Sequence, residues 1–199
     1  MLSYSPVYIF RTDNSTRNEV ANLRSDWVDP TELTHILAAL TPPNRLAMEL
    51  ALHSGLRISD VLNIRTDALL AANNRRLTIR ERKTGKARRL TIPAKLYDRM
   101  AAQAGRVYVW PSRTDWRKPR TRQAVYKDVK RAAKLFRAVG VITPHSARKT
   151  WAVGQLSRDG DIQRVQRLMQ HSDPAVTAIY ALANVLTTRK KSRQPPTLR

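Results

Sequence analysis

The chain has 199 residues, 37 Lys and Arg against 15 Asp and Glu, a formal net charge of +22 at pH 7, and no cysteine. The missing cysteine excludes disulfides, a thiol nucleophile and thiolate metal sites, and suits a reducing compartment. The N-terminus MLSYSPVYIF has no basic region ahead of an apolar core, and no apolar run approaches the roughly 18 residues of a membrane span, so neither export nor a membrane partner is expected and a cytoplasmic location is. Self-repulsion on this scale adds nothing to stability and points to a polyanionic partner, nucleic acid before membrane. Passive RNA binders share such a composition, so charge alone does not mark an enzyme.

In chain order, residues 1–28 carry no clear period and read as a flexible arm. DPTEL then opens a helix, with Asp29 as cap, Pro30 at the first position and Glu32 at the third, running to about Leu40. TPPNRLAMELALHSG predicts a second helix, capped by Thr41 and stopped at Gly55, and ISDVLNI a short third. The period then changes. RRLTIRE and RRLTIP alternate as strands, with Leu77, Ile79, Leu90 and Ile92 inward and a Gly-containing hairpin loop, RKTGKA, between them. VYVWPS reads as a third extended piece. Val125, Val129, Ala132, Phe136 and Val139 predict a helix over 121–139. TPHSARKTWAV, capped by Thr143 with Pro144 first, DIQRVQRLMQ and PAVTAIYAL complete the helices. Asp159 and Asp161, the closest carboxylate pair, read as a loop residue and a helix cap. The tail 185–199 is basic, contains two prolines and is expected to be flexible until bound. The fold class is therefore mainly α with a small antiparallel β-sheet (α+β).

The hairpin segment 75–89 holds eight basic residues and one acidic one, a density suited to a phosphate backbone. Cutting such a backbone without a metal requires fixed cationic donors for two non-bridging oxygens, which Arg supplies through its planar fork. It also requires an in-line nucleophile, and a proton donor for the departing 5′-oxygen. A tyrosine serves as nucleophile only where neighbouring cations favour its phenolate. The parts are present in separate places: Arg57 after a helix stop, Lys83 in the hairpin loop, His145 and Arg148 one turn apart on a helix, His171 at a helix end, and Tyr180 on the next helix. Singly, each has an ordinary structural explanation; the order and spacing are what set them apart.

SGLRISDVLNI, KTGKARRLTIP, PHSARKTW and LMQHSDPAVTAIYA, in this order, resemble the four signature boxes of the tyrosine recombinases, the phage-integrase family. The resemblance covers residues 29–184, nearly the whole of that family's catalytic domain. It implies that Arg57 and Arg148 hold the scissile phosphate, that His145 and His171 donate to it, that Lys83 is the general acid (with Lys86 as its rival), and that Tyr180 becomes a 3′-phosphotyrosyl link. Asp60, three residues after the first Arg, is expected to orient Arg57. Ala147, Lys149 and the MQH sequence depart from the commonest family residues without removing a reactive group. The resemblance implies double-stranded DNA as substrate, a homotetramer on DNA, accessory DNA-bending or directionality proteins, and neither metal nor cofactor. Only 28 residues precede the catalytic part, so no separate core-binding domain is expected, as in the similarly short fimbrial phase-variation invertases. The alternatives are DNA relaxation of the type IB topoisomerase kind and a basic DNA-binding module without catalysis.

Overall fold

The computed structural model describes residues 28–169; His171, Tyr180, the arm up to residue 27, the expected helix PAVTAIYAL and the tail 185–199 lie outside the described residues. Helix α1 (Pro30–Ala38) begins as its sequence dictates, with Asp29 Oδ1 accepting from Thr31 N at 2.9 Å and proline in the first turn, where no amide donor is missed. Helix α2 (Pro42–Ser54) stops at Gly55, whose φ of +68° is the left-handed cap conformation. Its expected cap works differently from the sequence reading. The Thr41 side chain caps nothing in its own helix; its amide and hydroxyl both donate to Asp128 Oδ2, at 2.9 and 2.8 Å. Asn44 Nδ2 donates to the same oxygen at 2.7 Å, and Arg131 holds Oδ1.

Short helices α3 (Ile58–Leu62) and α4 (Thr66–Leu70) lead through a 3₁₀ turn (Asn73–Arg75) into β1 (Arg76–Arg80), which pairs antiparallel with β2 (Ala87–Thr91). Leu77 lies opposite Leu90 and Ile79 opposite Arg88, so the inward series of both strands faces the core. Arg76, Arg80 and Arg89 alternate to the exposed side, which continues into Arg82, Lys83 and Lys86 of the loop. Helices α5 (Ala94–Gln103), α6 (Arg122–Leu135), α7 (Pro144–Asp159) and α8 (Ile162–Met169) follow. Thr143 caps α7 through a reciprocal box with Ser146.

The other elements gather around α2, which packs against α1, α3, α5 and α7 and buries Leu46, Ala47, Met48, Leu50 and Ala51. Trp110 is sealed in this core, and its indole N–H donates to Pro43 O at 2.9 Å. A smaller cluster of Trp151, Val153, Leu156, Val165 and Met169 joins α7 to α8.

Two expectations are corrected. VYVWPS does not add a strand: it makes only isolated bridges, Arg65 with Tyr108 and Pro111 with Pro119, because Pro111 has no amide to extend a ladder. The helix expected over 121–139 ends at Leu135. Arg137 takes a φ of +49°, and Phe136 and Val139, assigned to the buried stripe, are exposed, Val139 by 91%. Among the described residues no helix is long and apolar enough to cross a membrane.

Candidate active site

The site begins where α2 stops. Gly55 turns the chain through the left-handed region, and a Cβ there would sit 2.2 Å from the Trp151 ring, so the turn presses directly on α7. The turn delivers Arg57 to the N-cap position of α3. One Arg57 Nη donates to Glu81 Oε2, forming an ion pair in which the arginine side chain is 21% exposed and the glutamate fully buried. Glu81 Oε1 has no hydrogen-bond partner. A buried carboxylate is tolerable only beside a countercharge, and Arg57 is that charge. Asp60, expected to orient Arg57, instead accepts from the Arg82 amide at 3.1 Å through Oδ1, fixing the entry to the hairpin loop; its Oδ2 is buried without a partner. The carboxylate that holds Arg57 is Glu81.

Arg148, in the second turn of α7, is 1% exposed. Its Nη1 donates to Gly55 O at 2.6 Å and its Nη2 to Met169 O, while Nε has no partner. Burial pulls its pKa down from the ordinary guanidinium range to about 10, with Arg57 and Arg88 adding to the fall and Glu81 and Asp60 opposing it. The group remains charged at neutral pH, in surroundings that disfavour its charge by about 3 kcal/mol. Arg88 stands next to it on β2. Its Nη2 donates to Ser54 O at 2.5 Å, its Nη1 donates to Leu168 O at 3.3 Å, and its guanidinium lies over the Trp151 ring, 5.1 Å from the centroid. Burial lowers the Arg88 pKa as well, against the pull of Glu81.

The structure thus brings Arg57 and Arg148 into one electrostatic unit, as the sequence expects, and adds Glu81 and Arg88. Both additions carried a signal in the strand alternation. Glu81 continues the inward series Leu77, Ile79, and Arg88 continues Leu90, Ile92 backwards; a charge at an inward register position needs a buried partner. Lys83 and Lys86 sit on the exposed hairpin loop. His145 is exposed in the first turn of α7, its amide donating to Thr143 Oγ1 at 3.1 Å; the three-residue spacing to Arg148 does not give the two the same environment. Three buried or half-buried guanidiniums around two buried carboxylates make a cluster with surplus positive charge, a composition suited to an oxyanion.

The Phage integrase family model matches residues 26–186, most of the chain and every element of this cluster. The chain belongs to the phage integrase family. The integrase fold accounts for the arrangement of Arg57, the hairpin and α7 around one centre. The probable integrase/recombinase YoeC of Bacillus subtilis is 32% identical over 143 residues, 69% of this chain and 76% of that protein. Tyrosine recombinase XerD of Staphylococcus saprophyticus is 33% identical over 73 residues, 37% of this chain and 25% of its own length. Among solved structures, a lambda integrase(75–356) dimer bound to a COC′ core site superposes with a TM-score of 0.64 at 22% identity, over 79% of this chain and 59% of that one. The described residues share the fold of that structure, and the chain spans less than two thirds of the length of either of the last two relatives.

Proposed function

We propose that this domain cuts and rejoins duplex DNA at specific sites through a covalent 3′-phosphotyrosyl intermediate. The observation that carries the reading is Arg148: a guanidinium 1% exposed, its Nε without a partner, set beside the cations Arg57 and Arg88. A cation destabilised in this way gains most from an arriving anion, and a phosphodiester brings both a charge and paired oxygens matched to the guanidinium fork. The surplus charge of +22 and the exposed basic side of the hairpin support DNA as the source of that phosphate, as does the core-site complex of the lambda relative.

In this mechanism Arg57 and Arg148 take the two non-bridging oxygens, Arg148 exchanging carbonyl partners for phosphate. Tyr180 Oη attacks phosphorus as its proton passes to the imidazole of His145, the P–O5′ bond breaks, and Lys83 gives its proton to the departing 5′-oxygen. His145 and His171 donate to the phosphate oxygens, whose charge grows in the transition state. The energy of the broken linkage stays in the tyrosyl phosphodiester, so a second 5′-hydroxyl reverses the step and neither ATP nor a metal enters. Exchange between two duplexes calls for four protomers, with residues 29–184 as the catalytic unit and the tail 185–199 packing on a neighbour.

The test uses nicked duplexes that tile the DNA flanking the coding sequence, since a nick lets the short cleaved strand diffuse away and traps the adduct. The wild-type chain is expected to give an SDS-stable adduct with one of them and Tyr180→Phe none, with DNA affinity retained. Adducts that persist in Tyr180→Phe, or a wild-type chain that reacts with no duplex, would overturn the reading. Plasmid relaxation without recombinants would favour topoisomerase action instead.

A further inference from the structure

The loop that carries Lys83 is exposed, yet its entry is tied to α3 at two consecutive residues. The side chain of Glu81 receives Arg57, and the amide of Arg82 donates to Asp60 Oδ1 at 3.1 Å. Arg57 is the cap of α3 and Asp60 lies in its first turn, so one turn of helix grips one step of chain. Both carboxylates are buried, where water cannot compete for these bonds. Glu81 also closes the loop through its backbone. Its amide donates to Lys86 O at 2.9 Å and its carbonyl accepts from the Gly85 amide at 2.8 Å, across a turn in which Gly85 takes a φ of +68°. Residues 82–85 therefore stand on a closed base. Lys83 follows the Arg82 amide directly, its Cα about 3.8 Å from that of Arg82.

We propose that Asp60 and Glu81 are positioning residues for the general acid: through them the helix that carries Arg57 also fixes where the Lys83 loop stands. Arg57 holds the phosphate and Lys83 protonates the oxygen leaving it. The two must therefore keep register over a single linkage, where a shift of about 1 Å costs up to ~10²-fold in rate. Glu81 is the shared member, with its carboxylate on Arg57 and its backbone in the base of the loop. This rests on the function proposed above, and in that reaction neither carboxylate touches a reacting atom.

Two measurements on the full chain separate the inference from that parent reading. The first is amide hydrogen exchange in the DNA-free protein, which requires no activity. Asp60→Ala is expected to speed exchange at Arg82 and Gly85 while α2 and α6 keep their protection. Asp60→Asn, which retains an acceptor oxygen, is expected to leave both amides slow. Unchanged exchange in Asp60→Ala would overturn the tie. The second is single-turnover adduct formation at saturating DNA, on matched nicked duplexes with a 5′-oxygen or a bridging 5′-sulfur at the cleaved linkage. Each variant is compared with wild type on the same duplex. A thiolate leaves without a proton, so the sulfur linkage does not need Lys83. Asp60→Ala is expected to lose about 10–10²-fold more rate on the oxygen linkage than on the sulfur one. Glu81→Ala, which frees Arg57 as well, should slow both linkages and the oxygen one by a further ~10-fold. Asp60→Asn should keep the wild-type ratio of the two rates. Asp60→Ser, whose hydroxyl is one bond too short for the Arg82 amide, takes the place of alanine should that variant fold poorly. Equal losses on both linkages in either alanine variant, the mark of a merely structural role, would refute the proposal, as would an Asp60→Asn ratio that follows alanine. Rescue of Lys83→Ala by sulfur would still uphold the recombinase chemistry in that case. Lys83→Ala left unrescued would remove the parent assignment, and the inference with it.

Discussion

Replacing Gly55 by alanine tests the join between the α2 stop and α7. Two costs follow from the geometry. The residue keeps a φ of +68°, which an L-side chain occupies at a cost of about 1–2 kcal/mol. The new methyl would also lie 2.2, 2.4 and 2.7 Å from three atoms of the buried Trp151 ring, an overpacking that costs about 1–3 kcal/mol after relaxation. The expected loss is about 2–5 kcal/mol, read as a lower urea midpoint at unchanged slope and a Tm lower by roughly 5–15 °C. Because the steric part needs the ring and the backbone part does not, Gly55→Ala combined with Trp151→Ala should be less destabilised than the two single losses added together. The shortfall is expected to be about 1–3 kcal/mol in a double-mutant cycle. A Gly55→Ala protein within ~0.5 kcal/mol of wild type, or costs that simply add, would show that the turn does not bear on the Trp151 ring and would remove the reason for a glycine at this position.

The remaining expectations concern a carboxylate and the hairpin. Burial pushes the Asp128 carboxyl up, but hydrogen bonds from Arg131, Asn44 and Thr41 outweigh it and hold the group below its ordinary 3.8. Its stabilising contribution is therefore full above the unfolded value and is lost as the pH falls through the lower folded one. Asp128→Asn should cost about 2–4 kcal/mol in urea unfolding at neutral pH, and the gap from wild type should close as the pH drops below about 4; a gap independent of pH would refute the assignment. Lys83→Ala should slow cleavage of a normal 5′-oxygen linkage by about 10²–10⁴-fold and be rescued by a bridging 5′-sulfur, while Lys86→Ala should show neither effect. Rescue confined to Lys86→Ala would exchange their roles.

Much of the fold was written in local signals. Prolines at first helical positions, Gly55 at a helix end and alternation across the hairpin each act over a few residues, and each placed an element correctly. Helices α4 and α5 were not assigned from the sequence, although Leu96, Tyr97, Met100 and Ala101 of α5 recur at helical spacing and pack on the core. The sequence reading extended α6 too far because Phe136 and Val139 fit the period, although Arg137 breaks the backbone before they can use it. At the site, Arg57 and Arg148 stood out only through the resemblance of the segments that carry them. The partner of Arg57 did not: an acid three residues along the helix is the local candidate, but the ion pair goes to Glu81, 24 positions away, which only strand register brings near. Arg88 carried a signal in the alternation, two positions before Leu90 on the inward series, but the partners it meets are set by packing and not by the local pattern.

The two orphaned carboxylate oxygens acquire a meaning when the cluster is taken as a whole. Arg57, Arg88 and Arg148 set against Asp60 and Glu81 leave a single uncompensated positive charge. A phosphodiester linkage carries one negative charge, so its arrival balances these five side chains and leaves the proton carried by Lys83 as the charge to be spent on the departing oxygen.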